Sequence, residues 1–118
     1  MVVGDTLVWC PENNNNPHLW IIISDPSKHS GNCVVINLTS SNNGPNAYIL
    51  KVGDHPYIYK DSDVNFGDAF LTNIKDINAA ISSNSATQNQ QMNLQIISEI
   101  INRAHTHQAF QPILRRYL

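Results

Sequence analysis

Cysteine is scarce in this chain. Cys10 and Cys33 are the only two, and they form no CxxC pair. That argues against a disulfide framework and for reduced, small apolar thiols in a cytoplasm. Charge is scarce too: charged residues make up 14% of the chain and the formal net charge is -2. With a pI near 6.1 there is no long-range pull on polyanions, so any phosphate binding rests on a local patch. This disfavours a sequence-independent DNA coat. Also missing are a run of about 18 apolar residues and, in the first residues MVVGDTLVWCPENNNN, a basic start followed by a long apolar stretch. The expectation is a cytoplasmic protein with no membrane contact.

What is present suits one folded unit. Hydrophobic residues reach 42%, enough for a core, and Asn, Gln, Ser and Thr supply the polar surface. A length of 118 residues matches a single domain, 1–118, with strands to about residue 75 and a helical part beyond. Met1 to Trp9 reads as a first strand with a turn at Gly4-Asp5, ended by Pro11 and followed by an Asn-rich loop, 12–17. HLWIIIS (18–24) has the continuous apolar character of a strand buried on both faces, and CVVINL (33–38) returns after a connection through Gly31. AYILKV (47–52), a short edge piece at Pro56 to Tyr59, and DVNFGDAFL (63–71), interrupted at Gly67, add further strands.

The last third changes period. Asn73 to Ile81 and Met92 to Ala104 carry helical spacing, the second with Leu94, Ile97, Ile101 and Ala104 on one face. Ser82 to Gln91 reads as a loop, and a short helix starts near Pro112. Five to six short, mostly antiparallel strands followed by helices predict an α+β fold, a small sheet or barrel covered by C-terminal helices.

Among the five histidines, His105 and His107 lie two apart at a helix end and do not share a face, and His29 falls in a polar turn. His18 and His55 flank apolar strands, where a sheet can hold a side chain rigidly. Each candidate also has a plain structural reading. Gly53, Asp54 and Pro56 spell a corner around His55. Thr39 and Ser40 can end a strand by bonding to the backbone. Asp68 after Gly67 fits a bulge.

The order GDTLVW (4–9), polar loop, HLWIIISDP (18–26), CVVINLTSS (33–41) and SDVNFGDAFLTNI (62–74) resembles the MazF/PemK (CcdB-like) toxin family over about residues 4–75. Over nearly the whole chain, Pro17-His18, Ile22 to Pro26, Val34 to Ser40 and Gly53 to Ile58 are similar to small bacterial proteins with a PHLHVVISDP…VVLVNLTT…GDHPFI layout, which carries no activity with it. The toxin resemblance implies an SH3-like barrel with C-terminal helices, a homodimer, an antitoxin or other protein partner, and metal-independent cleavage of single-stranded RNA without a cofactor. Residue by residue, the family's catalytic arginine falls on His18, its threonine on Thr39 and its acid on Asp68, while a further arginine aligns near Phe66.

With the arginine replaced, RNA cleavage through the 2′-hydroxyl needs another base, an acid and donors for the phosphorane charge. His18 and His55 are the expected pair, with Thr39 or Ser40 on the phosphate and Asp54 or Asp68 orienting an imidazole. Two other readings stand beside it. One is a catalytically inactive toxin-like interaction module, with Arg103, Arg115, Arg116 and Tyr117 as a basic tail for RNA. The other is a small metal protein using His18, His55 and one of Asp54 or Asp68.

Overall fold

The apolar runs of the first half pair into one sheet, and the helical periods of the second half cover it. A computed structural model describes residues 1–11, 16–40 and 44–118. Six strands, β1 (Thr6–Trp9), β2 (His18–Ile22), β3 (Asn32–Ser40), β4 (Ile49–Leu50), β5 (Ser62–Asn73) and β6 (Ala86–Asn89), form a sheet in the order β4-β5-β3-β2-β1-β6. Every pairing is antiparallel, and the sheet curls into a half-barrel, giving an α+β domain.

Burial on both faces follows from the composition of β2 and β3. Successive residues of a strand point to opposite faces. Leu19 and Ile21 therefore join Val34, Ile36, Leu38, Val64 and Phe66 on one face. Trp20 and Ile22 join Leu7, Trp9, Cys33 and Val35 on the other. The first face is covered by α2 (Leu94–Ala104) and by the segment carrying Phe110 and Leu114, the second by Ile77 of α1 (Ile74–Ser82). Asn73 and Asn93 cap the two helices, accepting from the N-H groups of Lys75 at 3.0 Å and Gln95 at 2.8 Å.

Several elements differ from the sequence expectation. Gln88 and its neighbours form a strand, β6, because the free edge of β1 offers a ladder to a segment with no apolar alternation; only Ala86 of it is buried. The expected strand at 47–52 shrinks to Ile49–Leu50, paired with Ser62 and Asp63. Pro56 to Tyr59 forms turns rather than an edge strand. On α2 the buried face is Ile97, Ile100 and Ala104, while Leu94 is 66% exposed. Residues 12–15 of the expected Asn-rich loop and the loop start 41–43 lie outside the described residues. Among the described residues no helix is long and apolar enough to cross a membrane.

The pairing of β3 with β5 contains the irregularity that shapes the site. Val35 faces Phe70 and Asn37 faces Asn65, so Ile36 alone stands against Phe66 to Ala69. The extra length on β5 bulges out at Gly67-Asp68.

Candidate functional site

The segment around His55 is a corner built from reciprocal hydrogen bonds. Gly53 takes φ +104°, which the turn requires and L-residues avoid. The Asp54 carboxylate accepts from the Lys51 N-H at 2.7 Å, and the Asp54 N-H donates to the Lys51 carbonyl at 3.0 Å. Asp54 therefore closes the turn, and neither of these bonds reaches His55. His55 itself is 3% exposed. Its Nδ1 accepts the Tyr57 N-H at 3.0 Å, so Nε2 carries the proton and donates to the Gln90 carbonyl at 2.6 Å. Thr6 Oγ1 lies 3.3 Å from the same nitrogen and donates to the same carbonyl at 2.7 Å. Both ring nitrogens are engaged: Nδ1 within the corner, and Nε2 in joining the corner to β1 and to the residue after β6.

His18 sits elsewhere, at the start of β2, opposite Trp9. Its Nδ1 donates to the Leu38 carbonyl on β3 at 3.0 Å. A carbonyl can only accept, so this bond places the proton on Nδ1 and leaves Nε2 as the basic nitrogen of the neutral ring. The half-buried imidazole lines an open cleft of about 210 Å³, shared with Thr39, Ser40, Tyr57, Tyr59 and Lys60. Thr39 and Ser40 reach it because β3 runs on past Leu38 to pair with Asp63 and Ser62. Tyr59 is 78% exposed, and the Lys60 ammonium lies 5.5 Å from its ring centre.

The structure thus brings His18 together with Thr39 and Ser40, while His55 does not line that cleft. Asp68 lines a second, smaller cavity beside it, of about 100 Å³, which also includes Asn16 and His18. In that cavity the Asp68 carboxylate accepts from the Asn37 side-chain N-H at 3.3 Å, a bond made by the β5 bulge.

The remaining candidates divide cleanly. Among the described residues no three His, Cys, Asp or Glu side chains are grouped to hold a metal ion, so the expected set of His18, His55 and Asp54 or Asp68 is not assembled. Arg103 is committed to Glu99 at 2.7 Å and lies 4.5 Å over the Tyr48 ring. Arg115 bonds the carbonyls of Ala104 at 3.2 Å and His107 at 3.1 Å, capping the end of α2. Of the expected basic tail, Arg116 remains exposed, beside Tyr117 at 5.7 Å. Cys33 is fully buried, and burial pushes its thiol up to about 11; Cys10 instead lines the smaller cavity.

Sequence reasoning missed Tyr57, Tyr59 and Lys60 as cleft residues and Asn37 as a buried polar group. The signal for the first three was an aromatic-basic run, YIYK, directly after the corner. Asn37 gave one too, as the single polar residue inside CVVINL. Compared with protein-family models and with curated proteins, the chain has no match.

Proposed function

We propose that the protein is a MazF/PemK-like RNA-directed protein whose His18 cleft binds single-stranded RNA and cleaves it without a metal. The observation that carries this reading is the Nδ1 bond of His18 to Leu38, which orients one imidazole in a cleft lined by hydroxyls, tyrosines and a lysine. The curled six-stranded sheet with helices on both faces is compatible with the SH3-like barrel that the family resemblance implies.

In this reading the 2′-hydroxyl passes its proton to His18 Nε2 while its oxygen bonds to phosphorus. The bond from phosphorus to the 5′-oxygen breaks, and that oxygen takes a proton from solvent. Lys60 and the hydroxyls of Thr39 and Ser40 face the phosphorane charge, and Tyr59 offers a stacking surface to a base. The acid and base of the expected two-histidine scheme reduce to one imidazole, because His55 serves the fold.

That last point favours a second reading, a toxin-like module that binds RNA or an antitoxin peptide and does not cut. Incubating purified protein with labelled single-stranded RNA in a chelator separates the two. Fragments ending in a 2′,3′-cyclic phosphate support the nuclease. Retention of intact RNA with saturable binding supports the module, and neither binding nor cleavage sinks both.

A further inference from the structure

Asn37 is 1% exposed, and among the described residues its side-chain Oδ1 has no hydrogen-bond partner. The bond from its Nδ2 to Asp68 fixes the amide orientation, so the carbonyl, not the amine, is the orphan. Buried acceptors are nearly always paired, and leaving one unpaired is costly. Asn37 lines the cavity of about 100 Å³ formed with Cys10, Asn16, His18, Trp20 and Asp68. Among the described residues Asp68 makes no salt bridge. The cavity therefore presents an orphaned carbonyl next to a carboxylate without a cation, an arrangement that asks for a ligand with several N-H donors.

We infer that this cavity is a base subsite for guanine. The N1-H and N2 amine of guanine form a flat donor edge, able to meet the Asp68 carboxylate and give the second N2 hydrogen to Asn37 Oδ1. Adenine and cytosine each present an acceptor nitrogen beside their amine, and that lone pair would face the carboxylate. The cavity shares Asn16 and His18 with the proposed RNA cleft, so a base held here belongs to a nucleotide next to the one whose phosphate meets His18. The inference rests on the RNA reading for its biological setting, but the donor-edge chemistry is testable without it.

The test uses the full chain and isothermal titration with GMP, IMP, AMP, CMP and L-arginine, with an oligouridine as a base-neutral RNA probe. IMP lacks the N2 amine and keeps N1-H. The expected result is GMP binding at least about tenfold tighter than IMP, AMP or CMP, with the preference lost in Asp68→Asn. Asp68 is exposed, so that variant keeps the fold, checked by circular dichroism. Equal affinity for the four nucleotides overturns the inference. So does arginine saturating the site ahead of GMP, which marks a guanidinium pocket, or silence toward every probe, which leaves water as the occupant. Oligouridine binding without guanine preference removes the base subsite and leaves the RNA cleft standing. Guanine preference without oligouridine binding does the reverse.

Discussion

His55 donates its Nε2 proton to the Gln90 carbonyl at 2.6 Å, joining the corner before β5 to the chain leaving β6. The two segments are far apart in sequence, and the same carbonyl also receives the Thr6 hydroxyl. A histidine that sequence reasoning pairs with His18 for proton transfer is instead a pin through three parts of the fold.

Replacing His55 with Ala removes the donor to Gln90 and the acceptor for the Tyr57 N-H. The Gln90 carbonyl keeps the Thr6 hydroxyl, but losing both bonds of the buried imidazole should lower unfolding free energy by about 1–3 kcal/mol, seen as a lower urea midpoint with an unchanged slope. RNA binding by the folded fraction should stay at the native level. Unaltered stability would contradict the pinning role.

The contrast between the two histidines shows where sequence reading succeeds and stops. The β2 and β3 strands and the helix around Ile97 were legible because burial writes itself into apolar runs and helical periods. His55 was ambiguous because its partner, Gln90, is brought near only by β6, a strand polar but for Ala86 and with no apolar alternation to signal it. The residues GDHP reported a turn correctly in Gly53 and Asp54, whereas burial of the imidazole depends on the whole fold. Likewise the 3-4 spacing on α2 defined a helix but not which way it rolls, and Leu94 ended outside.

That roll can be tested directly. Ile100 is fully buried against the sheet, so Ile100→Ala should cost about 2–5 kcal/mol. Leu94→Ala, at an exposed position of the same helix, should stay within about 0.5 kcal/mol. Thermal or urea unfolding of both variants decides it, and equal losses would contradict the observed face.

Alkaline stability should carry the mark of Cys33. Its thiol ionises near 9.0 when unfolded and is held to about 11 by burial, so the folded state keeps its proton longer. The stabilising contribution is whole below pH 9.0 and is lost as pH rises toward about 11. Urea midpoints across that range should fall for the native chain and fall less for Cys33→Ala. Iodoacetamide should also spare Cys33 until the protein unfolds, whereas rapid labelling of Cys33 in the folded state would refute its burial.

Tyr59 and Lys60 should contribute to RNA binding in distinguishable ways. Tyr59→Ala should weaken an oligouridine by about 1–3 kcal/mol through lost stacking, with little change in salt dependence. Lys60→Ala should reduce the salt slope by about one ion. Titrations at several salt concentrations read both, and two variants with native affinity and slope would place RNA elsewhere.

The central claim is that His18, oriented by Leu38, acts on RNA in its cleft. The most direct measurement is single-turnover cleavage of a labelled single-stranded RNA in chelator by the native chain, His18→Ala and His55→Ala, each verified as folded. The account predicts fragments with cyclic phosphate ends from the native chain, a loss of about a hundredfold or more in His18→Ala, and a near-native rate for folded His55→Ala. Cleavage that survives in His18→Ala, or that disappears only in His55→Ala, would contradict it.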